Sequence, residues 1–181
     1  MGKVYVFLAD GLEEIEGLTV VDILRRADVE LRTVSITDRH LVNGSHQIPI
    51  TADVRFEDTD FSDAEALVLP GGMPGTLNLG NCKELTDLLV DFYKKGGLVA
   101  AICAAPSVLG DLGILKGKKA TCYPGFEERL TGAEAVQEPV VCDGNVITSR
   151  GMGTAIPFAL ALVSRLVSPE KSEEISQDII Y

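Results

Sequence analysis

Five short apolar runs, each closed by turn residues, alternate along this sequence with longer stretches of helical pattern. A strand that is apolar on both faces must be covered on both, and a helix between successive strands provides that cover. The pattern therefore predicts βαβ units around a mainly parallel sheet, an α/β fold. The strands fall at Val4 to Ala9, Leu31 to Ile36, Ala66 to Leu69, Leu98 to Ile102 and Val146 to Ser149. Helices are predicted over Glu14 to Ala27, Lys83 to Lys95, Pro106 to Leu112 and Thr154 to Leu166, with a polar last helix opened by Pro169. Asn43-Gly44 and Asp143-Gly144-Asn145, each between apolar flanks, predict two small hairpins. With 181 residues, the chain reads as a single domain over 1–181, and folding at this size buries roughly 70% of the unfolded surface.

In the first helix, Ile15, Leu18, Val20, Val21, Ile23 and Leu24 surround the axis instead of forming one stripe. A helix apolar all round is buried on more than one side. One side packs on the sheet; the other calls for the same helix of a second subunit, or else a loop or the C-terminal helix. The first of these predicts a homodimer.

The charge narrows the partners. Sixteen Lys and Arg against 27 Asp and Glu leave a net charge of −11, which argues against nucleic acid as the primary partner. No apolar stretch approaches the roughly 20 residues of a spanning helix, and the first run is too short and wrongly flanked for a signal peptide, so no membrane association and a cytoplasmic location are expected. Cys82, Cys103, Cys122 and Cys142 form no CxxC pair, so neither a zinc site nor a redox dithiol is indicated. The Gly-x-Gly of Gly151-Met-Gly153 lacks the rest of a dinucleotide fingerprint. No metal and no cofactor are expected.

Three segments can carry chemistry. In Gly97-Leu-Val-Ala-Ala-Ile-Cys103-Ala-Ala-Pro106 a buried strand stops on a cysteine and passes at once into a helix. Such an elbow lifts a nucleophile to the carboxyl edge of the sheet, and the helix N-terminus favours a thiolate. Position alone leaves a reactive and a merely buried cysteine both open. Both histidines, His40 and His46, lie upstream of Cys103, which disfavours a Cys-His protease or amidotransferase with a downstream base. A carboxylic acid remains. Of Glu13, Glu14 and Glu16, only Glu16 shares a helical arc with apolar residues, so Glu16 is expected to turn inward while Glu13 and Glu14 form a solvated helix start. The third segment, Leu67-Val-Leu-Pro70-Gly71-Gly72-Met73-Pro74-Gly75, runs a strand into a glycine-rich turn that suits either an oxyanion nest or a plain tight turn.

These segments in this order, "ADGLEEIE", "LRRA", "LVLPGG", "GGLVAAICAAPSVLG" and "ITSRGMGT", resemble the ThiJ/PfpI superfamily, in the branch of Parkinson disease protein 7 and its bacterial relatives. The resemblance covers nearly the whole chain and implies a flavodoxin-like three-layer sandwich and a homodimer through the first helix. It implies that Cys103 is the reactive, oxidation-prone cysteine and that Glu16 is a protonated glutamate bonded to it. By the same match, Gly71, Gly72 and Ala104 are backbone donors of an oxyanion pocket, and Asp22 and Arg26 form an ion pair on the first helix. Tyr123 stands where several members carry a histidine, and His46 where the same members carry an arginine near the pocket; a tyrosine can donate a hydrogen bond but is no base near neutral pH. Ala104 replaces the histidine that follows the nucleophile in PfpI-type proteases. The implied activities are a cofactor-free glyoxalase or deglycase (hydrolase) acting on small aldehydes or glycated adducts under oxidative and carbonyl stress. The alternative is a non-enzymatic redox sensor or chaperone using the same cysteine.

Overall fold

The computed structural model describes residues 2–181. In chain order the elements are β1 (Lys3–Leu8), α1 (Glu14–Arg26), β2 (Leu31–Ser35), β3 (Leu41–Asn43), β4 (Pro49–Thr51), β5 (Val54–Arg55) and β6 (Ala64–Leu69). There follow α2 (Gly75–Asn81), α3 (Lys83–Lys94), β7 (Leu98–Ile102), α4 (Pro106–Asp111), β8 (Lys119–Ala120) and β9 (Glu134–Ala135). The chain closes with β10 (Val140–Asp143), β11 (Val146–Ser149), α5 (Ala155–Leu166) and α6 (Pro169–Asp178). One seven-stranded sheet in the order β10-β11-β7-β6-β1-β2-β5 forms the middle layer. All its pairings are parallel except the β10–β11 hairpin.

Alternate residues of the central strands feed two cores. Val4, Val6 and Leu8 of β1, with Ala100 and Ile102 of β7, face α1, α5 and Ile175 of α6. Tyr5 and Phe7, with Val99 and Ala101, face Leu79, Leu85, Leu89 and Leu109 on the other side. The sheet is thus covered on both faces, as its near-continuous apolar strands require. After β1 the chain moves to β2 on one side, and β6 later returns to the other side of β1. That reversal opens a crevice at the carboxyl ends of the strands, where α/β folds of this kind place their ligands.

The predicted strands and long helices all form, with ends shifted by one or two residues, and both hairpins are present. The sequence reading missed α2, whose glycine-bearing Gly75–Asn81 has poor helix propensity, and β5, β8 and β9, which are two residues each and too short to show a period. The first helix corrects an expectation. Val20, Val21, Ile23 and Leu24 are all buried within the subunit, in one cluster with Phe158, Leu162 and Val163 of α5. The second cover of α1 is therefore α5, and only Ile15 (50% exposed) and Leu18 (43%) are left as its outer apolar face.

This separates two substitutions on one helix. Val21→Glu should destabilise the subunit itself by about 2–4 kcal/mol, because a carboxylate would be desolvated against α5. Leu18→Glu should stay within about 0.5 kcal/mol. Urea unfolding of each variant at a concentration where the chain is monomeric measures both.

Candidate functional site

Cys103 is the first residue after β7, and its φ of 67° puts a non-glycine residue in the left-handed region. Such strain persists only where the surroundings fix it, and here they do. The Cys103 N–H donates to the Ser149 carbonyl at 3.0 Å, and the Cys103 carbonyl accepts from the Tyr123 N–H at 2.7 Å. The turn closes when the Ala105 N–H donates to the Ile102 carbonyl at 3.1 Å, and α4 begins at Pro106. This is the predicted elbow.

Glu16 does turn inward, with 1% of its surface exposed. Its Oε2 accepts the Gly71 N–H at 2.9 Å, while its Oε1 is buried without a hydrogen-bond partner of its own. Gly71 is obligatory: a Cβ there would lie 2.5 Å from both the Cys103 Cβ and Glu16 Oε2. The Gly71 amide is thus taken by Glu16 and is not free for a substrate oxyanion, which corrects the role expected of it. The Gly72 and Ala104 amides instead act on the Cys103 thiol, favouring its ionised form.

Burial pushes the Glu16 carboxyl up to about 7, against the pull of the nearby Cys103 side chain and the Gly71 amide and with a further push from Glu13. Burial also pushes the Cys103 thiol up, to about 12, reinforced by the charge and hydrogen bond of Glu16 and opposed by the Gly72 and Ala104 amides. The expectation that the helix start would depress this thiol is therefore corrected: desolvation outweighs a six-residue helix. The two groups titrate as a pair. Two of the upward pushes on the thiol come from the Glu16 carboxylate and vanish when Glu16 takes a proton. The carboxyl therefore ionises first, and a thiolate beside a neutral Glu16 is the minor form of the singly deprotonated pair, with Oε1, unpartnered among the described residues, open to that proton.

The pair opens onto a cavity of about 530 Å³, walled by Glu13, Tyr123, Pro124, Arg150 and the 151–154 turn. Tyr123, 50% exposed, lies against Gly151. His46 does not line this cavity. Its ring Nδ1 sits 2.8 Å from Glu14 Oε2 and 3.7 Å from Glu13 Oε1. Glu14, expected at the surface, is buried. Burial would raise its carboxyl, but the His46 ring and the backbone amides of His46 and Ile48 hold it down at about 2. Donor atoms of Glu13, Glu14 and His46 lie within 4.8 Å of one another, a spacing that metal ligands also share. Here both Glu14 oxygens are bonded to His46, so the cluster serves to pin the β3–β4 hairpin onto α1. Asp22 and Arg26 do pair, at 3.2 Å on the surface of α1. Arg150 and the 151–154 turn are the cavity wall that sequence reasoning left without a role. The available signal was their place directly after a strand ending at the same sheet edge as Cys103.

The sequence profile of the DJ-1/PfpI family matches residues 2–165. Protein DJ-1 homologs B and A of Arabidopsis thaliana are each 39% identical over 98% of this chain, which spans 41% and 46% of their lengths. The chain thus spans less than half of these two curated relatives. The glutathione-independent glyoxalase DJR-1.2 of Caenorhabditis elegans is 34% identical over 90% of this chain and 87% of its own. Among solved structures, oxidized Toxoplasma gondii DJ-1 superposes with a TM-score of 0.96 at 34% identity, covering 100% of this chain and 99% of that one. No described helix is long and apolar enough to cross a membrane.

The coupled titration is directly measurable. The rate of Cys103 alkylation by iodoacetamide should rise with pH in two steps in the wild type, the first near 7. Glu16→Gln should show a single step, below the wild-type upper value of about 12, because the repelling carboxylate is gone. A two-step profile in Glu16→Gln would assign the lower step to another group.

Proposed function

The chain belongs to the DJ-1/PfpI family, and on that footing we propose that it is a cofactor-independent cysteine enzyme of the glyoxalase or deglycase type. Its substrates are 2-oxoaldehydes or their adducts, and its setting is cytoplasmic carbonyl and oxidative stress defence. The observation that carries this reading is the buried Glu16 brought together with a strained, half-buried Cys103 around Gly71, with the Gly72 and Ala104 amides favouring the thiolate. The naming of a relative as a glyoxalase supports it.

In this mechanism the Cys103 thiolate adds to the aldehyde carbon, forming a C–S bond and an oxyanion held by the Gly72 and Ala104 amides. The proton on Glu16 passes to that oxygen. The Glu16 carboxylate then takes the hydrogen of the former aldehyde carbon as a proton, leaving an enediolate, and returns that proton to the neighbouring carbon while the proton of the first hydroxyl passes to that carbon's oxygen. The result is a 2-hydroxyacyl thioester. Water cleaves the C–S bond, releasing the 2-hydroxy acid and the thiol, so one water is consumed and no outside oxidant or reductant is needed. Glu16 suits this shuttle because burial places its carboxyl near neutrality.

A second reading, a redox sensor, rests on the same amides, which can bind sulfinate oxygens while Glu16 donates to one of them. We also propose a homodimer in which Ile15 and Leu18 of α1 are covered by a partner copy.

Cys103→Ser and Glu16→Gln should each lose methylglyoxal turnover by about 100-fold or more, measured in amine-free buffer. Unchanged turnover in Glu16→Gln would remove Glu16 from the mechanism, and retained peroxide oxidation of Cys103 in that variant would favour the sensor. Light scattering at micromolar concentration should give a dimer for the wild type and a monomer for Leu18→Glu.

A further inference from the structure

In a chain with 27 acidic and 16 basic side chains, arginines readily find acids. Arg25 pairs with Asp53, Arg26 with Asp22, Arg39 with Asp10, Arg55 with Glu57 and Asp58, and Arg129 with Asp111. Arg32 and Arg165 are exposed and, among the described residues, unpaired, as solvated cations usually are. Arg150 differs from both groups. It is half-buried, and among the described residues its guanidinium has no ion-pair or hydrogen-bond partner. It also lines the cavity that contains Cys103 and Glu16.

Its position is fixed by the sheet. Arg150 follows Ser149, whose carbonyl accepts the Cys103 N–H at 3.0 Å, and its own N–H donates to Pro139 at 3.3 Å. The same cavity holds Glu13, whose carboxylate lies 3.7 Å from the His46 ring. The charge of Arg150 pulls on the neighbouring Cys122 thiol, but its guanidinium has no ion-pair or hydrogen-bond partner among the described residues and lines the cavity.

We propose that Arg150 is a specificity-determining residue that makes this site prefer carboxylate-bearing substrates, such as 2-oxoaldehyde adducts of amino acids or small thiol acids, over neutral ones. A planar guanidinium with no partner matches a carboxylate bidentately. This rests on the reading of Cys103 as the nucleophile of an aldehyde enzyme, and adds the class of adduct that it takes.

The test uses two alkylating probes of nearly equal size, iodoacetate and iodoacetamide, with Cys103 modification followed by peptide mass mapping. The ratio of the two rates reports anion attraction independently of how reactive the thiol is. In Arg150→Gln the iodoacetate-to-iodoacetamide ratio should fall by about fivefold or more, the effect of removing one charge several ångströms away in a partly wet site. Arg150→Lys, which keeps the charge, should retain most of it. Raising the salt should shrink the wild-type ratio toward that of Arg150→Gln. An unchanged ratio in Arg150→Gln overturns the proposal, and so does a wild-type ratio insensitive to salt. Because alkylation needs no turnover, the two readings fail separately. A protein inert to methylglyoxal that shows the ratio loss keeps its anion site. An active enzyme with an unchanged ratio loses only the Arg150 assignment. In the active enzyme, the methylglyoxal adduct of N-acetylcysteine should be processed with a higher kcat/KM than that of N-acetylcysteine amide, and Arg150→Gln should equalise them.

Discussion

The Glu16 carboxyl, held between the Gly71 amide and the Cys103 side chain, joins three separate parts of the chain at one point. α1 supplies the acid, the turn after β6 supplies the N–H, and the turn after β7 supplies the sulfur. A carboxyl at this depth loses hydration worth several kcal/mol unless it is neutral or well bonded. With one oxygen bonded to Gly71 and the other without a partner, the site meets that cost by keeping the carboxyl near its neutral point. A group poised in this way can give and take a proton with little change in free energy, which proton transfer at neutral pH requires.

The fold's contribution is to make that point rigid. β1, β6 and β7 lie side by side in the sheet, buried on both faces, so the turns at their carboxyl ends are set relative to one another by packed strands. The strained backbone of Cys103 is held at both its N–H and its carbonyl by neighbours from β11 and from the Tyr123 segment. Gly71 completes the arrangement, because any side chain there would push the acid and the sulfur apart. Removing that closeness would leave two isolated groups that burial alone disfavours as ions.

Around the pair the cavity wall carries charges of both signs. Glu13 leans to His46, which Glu14 anchors in the β3–β4 hairpin. Tyr123 and Arg150 line the same cavity. Tyr123 brings a phenol, not an imidazole, to the cavity. His46 binds carboxylates of its own chain. Among the described residues, the cavity's one cation without a partner is Arg150.

The alternation of apolar runs and helical stretches determined the parallel sheet and its two covering layers, because strands apolar on both faces have few other stable outcomes. The glycine-rich turn, the Cys103 elbow and the inward arc of Glu16 were legible for a similar reason: each is a local departure from pattern, and local geometry fixes its direction. What local pattern could not carry was decided by contacts between distant residues. That α5 covers Val20, Val21 and Leu24 depends on a helix more than a hundred residues downstream. That Glu14 is buried depends on a hairpin folding back over the helix start. The direction of the Cys103 thiol was likewise a tertiary result, since the helix start is visible in sequence while the desolvation and the nearby carboxyl that outweigh it arise only when three turns meet in one crevice.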